Sequence, residues 1–228
     1  MDIDELRRNF VHGEADHDRL HKADFDRLMA EGWRNFGCKF FRYSLAVNDD
    51  DIFLHVIPLR VRLSDLKLSH SQKRVLKKNG DLQITIEPVN ITDEVVDLFF
   101  RHRERFTEYP PENIYVYLSD DPANRPVEGK QFNVRDGSGK LLALGITNVG
   151  EECLSAVYSC FEPAEKSRSL GIFLMLKEIE YAQFLGMSYY YHGYAYDKPS
   201  YYDYKKRFTA LEAFDWKGKW LPFENEPA

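Results

Sequence analysis

Hydrophobic positions change period several times along the chain, and each change marks an element. Over residues 2–31, Leu6, Phe10, Leu20, Phe25, Leu28 and Met29 recur at helical intervals among charges. This spacing predicts one or two surface helices, broken at Gly32. Residues 33–63 switch to β-friendly runs, CKFFRYSLAV and DIFLHVIPLRVRL, with a hairpin loop expected at Asn48 to Asp51. Pro58 marks part of the second run as an edge or a bend. Leu63 to Asn79 returns to helix, with Ser64 or Ser69 as cap and Gly80 after the end. DLQITIEPV is a strand stopped by Pro88. A helix then starts at Asp93, with Val96, Phe99, Phe100 and Phe106 as its buried stripe and Pro110 and Pro111 ending it. Ser119 to Pro126 is a loop by its Asp, Asn and Pro content. QFNVRD and KLLALGITNV pair as antiparallel strands about a turn at Gly137 to Gly139.

Leu154 to Gly193 is the stretch around which the rest is organised. LSAVYSCF is a short apolar strand stopped by Pro163. After a polar loop, RSLG opens a helix with Ile172, Leu176, Ile179 and Ala182 or Gln183 on one face, widened by Phe173 and Met175. Gly186 closes that helix, and SYYYHGY returns as a strand. The result is a βαβ unit whose helix start gathers free N–H groups, which suits an anion. Arg168 adds charge there, and Ser169 adds a cap or a phosphate donor. The same pattern is also that of an ordinary helix start.

Composition narrows the class. The 228 residues suffice for a substantial core, and 43% hydrophobic with 30% charged residues is ordinary for a soluble globular chain. No apolar run reaches membrane-spanning length and no signal peptide is visible, so a cytoplasmic, non-membrane protein is expected. The cysteines Cys38, Cys153 and Cys160 lack CxxC spacing, which argues against a disulfide framework or a structural zinc site. His17 and His21 stand four apart beside Asp16 and Asp18, the spacing of metal ligands if a helix carries them and of a solvated helix otherwise. Cys160, in a strand, reads as a small core hydrophobe.

A formal charge of −6 excludes a uniformly basic surface, yet a local one exists. Lys73 and Lys77 lie four apart, as do Arg74 and Lys78, so both pairs share one helix surface, with Lys67 and His70 nearby. Phosphate backbone is the natural partner for such a stripe, a solvated basic helix the plain alternative.

From about residue 91 the order helix, strand, strand, strand, helix, strand resembles the GNAT acyltransferase fold. That resemblance implies an α/β (α+β) domain with a mixed, largely antiparallel sheet and a central βαβ at residues 91–228, preceded by a smaller α+β region at 1–90. Arg168 and Gly171 match the first two fixed positions of the GNAT phosphate loop, Q/R-x-x-G-x-G/A, and Phe173 departs from the third. This weighs against coenzyme A. A narrower resemblance rests on GWRNFGCKFFR, SHSQKRVLKKNGDL, RFTEY, LSAVYSCFEP, RSLGIFLMLKEIEYA, YYYHGY and YKKRFTALE, which occur in family order over most of residues 32–221. Together they resemble the aminoacyl-tRNA–protein transferases, the arginyltransferases and bacterial leucyltransferases of the N-end rule. Family members carry an N-terminal cysteine cluster, and this chain has no cysteine before Cys38, so no metal site is expected.

The resemblance implies transfer of arginine or leucine from charged tRNA to protein N-termini that begin with Asp or Glu, marking them for degradation. Aminoacyl-tRNA is then a co-substrate, and no other cofactor is needed. The stripe Lys73, Arg74, Lys77, Lys78 would meet the tRNA acceptor arm. Arg168, Ser169 and Gly171 would meet its terminal phosphates or adenosine, and the aromatics of Tyr189 to Tyr196 would stack on the unpaired 3′ end. Arg168, Lys205 and Arg207 are the cations expected near an acidic acceptor, and Glu162 or His192 the proton acceptor for its amine. The alternatives are a coenzyme A-dependent N-acyltransferase and a non-catalytic relative that binds tRNA or a degron.

Overall fold

The computed structural model describes residues 10–47, 51–106 and 110–223. The strands are β1 (His12–Asp16), β2 (Arg34–Phe36), β3 (Lys39–Tyr43), β4 (Leu45–Val47), β5 (Phe53–Arg62), β6 (Gln83–Pro88), β7 (Gly129–Arg135), β8 (Leu141–Val149), β9 (Cys153–Phe161), β10 (Tyr189–Tyr196), β11 (Leu211–Phe214) and β12 (Trp220–Pro222). The α-helices are α1 (Lys22–Ala30), α2 (His70–Lys78), α3 (Asp93–Arg103) and α4 (Leu170–Phe184).

β1, β3 and β2 form a small antiparallel sheet, and the larger sheet runs β12-β11-β5-β10-β9-β8-β7-β6 with β4 attached to β5. Every pairing in the larger sheet is antiparallel except β9 with β10, the two strands joined by α4. This mixed α+β arrangement, with one crossover helix in an antiparallel series, is the GNAT-like order expected from the sequence. Strands β5 and β6 come from the N-terminal side of residue 91 and are built into the same sheet.

Helix α4 is apolar nearly all round because one side packs on the sheet and another meets α2. Leu170, Phe173, Leu174, Leu176, Ile179 and Ala182 join Phe132, Val134 and Leu154 in the principal core. On the opposite face Val95, Leu98 and Phe99 of α3 pack on Leu141, Leu144 and Ile146. Strand β8, covered on both faces, is buried along its whole length. A third cluster joins Phe25 and Met29 of α1 to Phe40, Cys153 and Tyr191.

Several sequence expectations change. Residues 12–16 form a strand, not a helix: β1 hydrogen-bonds along all of β3, and its burial alternates. Residues 2–9 of the expected N-terminal helices lie outside the described residues. His17 and His21 flank the entry to α1 and share no helix face, and no metal-binding cluster occurs among the described residues. The buried stripe of α3 is Val95, Leu98, Phe99 and His102, one helical face counted from Val95. Phe100 is exposed, as is Phe106, which follows the end of the helix. Pro58 belongs to a strand inside the sheet, yet on one side it faces a gap between neighbours, a local edge as expected. The N–H groups of Val56 and Arg62 point to the side shared by β4 and β11, bonding Ser44 and Ala210. Pro58 has the same parity and falls between the two partners, where no donor is needed. Most of the expected loop at Asn48 to Asp51 lies outside the described residues.

Candidate active site

The parallel pairing of β9 and β10 covers only Tyr189 to Tyr191 against Cys153 to Ser155. Beyond it the strands part, β9 continuing on β8 and β10 on β5. Both are irregular where they separate: the register of β9 shifts on β8 between Ala156 and Tyr158, and that of β10 on β5 between Tyr191 and Gly193. Bulges re-aim side chains beside functional sites. His192 is the extra residue on β10, and Gly193 has φ +98, which favours glycine. The cleft thus opens at the carboxyl end of the parallel pair, where α4 begins.

The start of α4 is set by Ser169, left-handed at φ 55, ψ 47, whose hydroxyl does not cap the helix. A Cβ on Gly171 would come within 3.1 Å of the Phe161 ring, so helix and strand pack closely here and a side chain would have to displace that ring slightly. Phe173, the departure from the GNAT loop, is buried in the principal core. Arg168 is engaged by Asp81, with both contacts at 2.9 Å, and by Glu165 at 3.0 Å. Its charge is therefore already matched within the fold.

Helix α2 docks directly on this loop. Ser69 accepts from the Gln72 N–H, and the Gln72 side chain accepts from the Ser69 N–H, forming a capping box. At the other end Lys78 Nζ donates to the Ser167 carbonyl at 2.5 Å, and Asn79 Nδ2 to the Arg168 carbonyl at 2.9 Å. Lys73, Arg74, Lys77 and Lys78 are all exposed. Gln72 donates to the Arg207 carbonyl at 3.4 Å, and Thr209 bonds both backbone groups of Lys67. The basic stripe, the RSLG turn and the YKKRF segment are thereby brought into one region. Arg207 itself is exposed.

Glu162 is buried where β9 ends, 3.0 Å from Arg101 and 3.3 Å from Lys140, and accepts from the Ala164 N–H. Burial alone would raise its pKa, but Lys140, the Ala164 N–H and Arg101 together hold it below the usual value. His192 Nε2 lies 3.0 Å from the Lys205 carbonyl, which can only accept, so Nε2 carries the proton. Its Nδ1 is buried without a hydrogen bond. Burial, then the Lys205 charge, lower the imidazole pKa to about 3. Neither group is arranged as a strong base at neutral pH. Cys160 is buried, and burial raises its thiol pKa, which leaves no thiolate.

The aromatics of β10 divide. Tyr190 donates to Glu178 in the core, Tyr189 and Tyr191 pack about Arg60, and Tyr194 donates to the Gly32 carbonyl at 2.7 Å. Tyr196, the last residue of β10, contacts Tyr202. Three groups were not singled out by sequence reasoning: Arg34 on β2, Tyr158 on β9 and Tyr204. Arg34 stands among the tyrosines 194, 190, 43 and 204, and its Nη1 is buried without a partner. The Tyr158 hydroxyl is likewise buried and unpartnered, with its ring stacked 4.2 Å from Tyr117. Arg34 lies within GWRNFG, but no local spacing distinguishes it from a surface arginine.

A sequence model described as "Arginine-tRNA-protein transferase, C terminus" matches residues 93–215, from α3 to just beyond β11. Curated relatives point the same way. The aspartate/glutamate leucyltransferase of Parvibaculum lavamentivorans is 34% identical over 167 residues, covering 71% of this chain and 68% of the relative. That of Leptospira interrogans is 35% identical over 204 residues, covering 86% and 76%. The matched span contains the whole parted β9–α4–β10 unit, and the chain belongs to the arginine-tRNA-protein transferase family.

Proposed function

We propose that this aminoacyl-tRNA–protein transferase moves leucine from charged tRNA to the α-amine of polypeptides that begin with Asp or Glu. The observation that carries the reading is the docking of the exposed basic helix α2 on the loop that opens α4, at the mouth of the β9–β10 cleft. A tRNA acceptor arm on Lys73, Arg74 and Lys77 then delivers its 3′ end toward Ser169 and Gly171. The names of the relatives support leucine as donor and Asp or Glu as acceptor residue. So does the electrostatics of the cleft: an arginine side chain needs a free carboxylate. Glu162 is occupied by Arg101 and Lys140, and Glu178 by Tyr190.

In the reaction the α-amine nitrogen attacks the ester carbonyl carbon. The C–N bond forms, the bond to the terminal ribose oxygen breaks, and the proton lost by the amine ends on that hydroxyl. An α-amine has a pKa of about 8, so a useful fraction is neutral without a strong base. Positioning and oxyanion stabilisation then supply most of the acceleration. His192 holds the Lys205 backbone and acts as a positioning residue. The product places the acceptor in the N-end rule degradation route.

The test incubates the protein with leucyl- or arginyl-tRNA, labelled in the amino acid, and peptides beginning with Asp, Glu or Ala. Leucine transfer to the acidic-first peptides is expected. Transfer of arginine in preference, or of neither amino acid, overturns the reading.

A further inference from the structure

Two cationic side chains from distant parts of the chain meet over one glycine. A Cβ on Gly193 would lie 3.1 Å from Arg34 Cζ and 3.1 Å from Lys205 Nζ, so the two charges are separated by no more than about twice that distance. Gly193 is buried, and both cations belong to part-buried residues. Among the described residues no carboxylate balances them: the groups acting on Arg34 are tyrosines, and the one acting on Lys205 is Arg34. Arg34 Nη1 has no hydrogen bond. Lys205 Nζ donates only to the Tyr194 carbonyl, at 3.1 Å, and faces the Tyr202 ring at 4.7 Å. The buried Arg60, by contrast, is matched by Glu212 at 2.7 Å. Two cationic groups held together without a counter-ion disfavour full charging of both until an anion arrives.

We propose that Arg34 and Lys205 form a clamp for the side-chain carboxylate of the acceptor's first residue. The inference rests on the transferase reading above and names the residues that select its acidic substrate. Arg34 offers a planar fork with a free N–H, suited to a carboxylate. Lys205 offers a point charge whose position is fixed by the Tyr194 carbonyl in front and by His192 on its own carbonyl. Gly193 puts no side chain between them, and an added Cβ there would already meet both cations at 3.1 Å. Arg168 and Arg207 are not part of the clamp: the first is engaged by two carboxylates and the second is exposed.

The experiment measures binding of pentapeptides that begin with Asp or Asn and are otherwise identical, by isothermal titration on the full chain. Wild type should prefer the Asp-first peptide by about 10- to 100-fold, the worth of charged hydrogen bonds. Arg34→Gln and Lys205→Gln should reduce the preference to about threefold or less, and Lys205→Arg should restore part of it. Retention of the wild-type preference in both glutamine variants overturns the clamp.

A second measurement needs no variant. Burial and the nearby Arg34 lower the Lys205 pKa to about 7, and the other groups facing Lys205 are the neutral His192 and Tyr202. A carboxylate arriving there draws a proton onto Lys205. Titrations at pH 7.5 in buffers of different ionisation enthalpy should therefore show more proton uptake with the Asp-first than with the Asn-first peptide. Equal uptake overturns the clamp. If wild type transfers no amino acid from any charged tRNA but discriminates Asp from Asn with Arg34 and Lys205 required, the transferase reading falls and the clamp stands. If transfer proceeds and both peptides bind equally, the clamp alone falls.

Discussion

Asn79, at the end of α2, donates its side-chain amide to the Arg168 carbonyl at 2.9 Å and to the Val75 carbonyl at the same distance. One fully buried amide thus closes the basic helix and fixes the turn that opens α4. Asn79→Ala leaves the Arg168 carbonyl without that donor, at a cost of about 1–3 kcal/mol. Urea denaturation should report it, together with weaker tRNA binding, because α2 and the α4 turn are no longer locked in register. Unchanged stability would show that water replaces the amide freely.

Lys73 and Arg74 are exposed on α2, and no ion pair within the fold uses them among the described residues. Lys73→Glu with Arg74→Glu should leave the melting temperature within a degree or two while weakening tRNA binding. The salt dependence should flatten as well, its slope falling by about 0.9 for each phosphate that is no longer neutralised. Anisotropy titrations at several salt concentrations test this. An unaltered slope would remove α2 from the tRNA-binding face.

Much of the scaffold was legible because its signals are local. Ser69 and Gln72 spell a capping box, Gly186 ends α4 at φ +73, and Gly137 to Gly139 turn β7 into β8. The βαβ unit could be read from the change of period at Leu154 to Gly193. The failures have non-local causes. Residues 12–16 fall in a segment whose hydrophobic spacing looks helical, and they become a strand because β3 offers a partner. Val95 and Leu98, rather than Val96 and Phe100, take the buried face of α3, a choice made by where the sheet lies. In the site, Lys205 was legible as a cation near the YKKRF tail. Its companion Arg34 comes from 171 positions earlier in the chain, and only the fold brings the two to Gly193.

Ser69→Ala tests the cap itself. It removes the acceptor for the Gln72 N–H while Gln72 stays buried, so stability should fall by about 1 kcal/mol, with Ser69→Asp recovering most of it. Urea midpoints of the three proteins decide the matter. An alanine variant as stable as wild type would mean that packing of α2 on α4 alone sets the start of the helix.

Gly193→Ala should be more damaging than an alanine at an ordinary strand position. The backbone is at φ +98, a region in which a Cβ is strained, and the added methyl would press on Arg34 and Lys205 at 3.1 Å. A cost of about 1–3 kcal/mol follows from the backbone alone. Thermal unfolding measures that part. The KM for an acidic-first peptide should rise further than for its amide counterpart, since the two cations are forced apart.

Glu178 introduces a pH dependence of stability that opposes the one from the histidines. Its carboxyl is buried against Gly145 and accepts from Tyr190; burial raises its pKa to about 8, with the Tyr190 hydrogen bond offsetting part of the shift. An unfolded glutamate titrates at about 4.3. Between these values the folded state holds a proton that the unfolded state has released, so stability is full below about pH 4 and falls as pH rises toward 8. His102 and His192 run the other way. Burial lowers their pKa values to about 4 and about 3, so what they contribute is present above about pH 6.5 and lost as pH falls below it. Glu178→Gln removes only the first dependence, because a neutral amide has no proton to release. Melting temperatures from pH 5 to 8.5 should show the variant gaining on wild type steadily as pH rises, while the acid side of the curve is unmoved. Parallel curves over the whole range would mean that Glu178 stays neutral, or ionises, equally in both states.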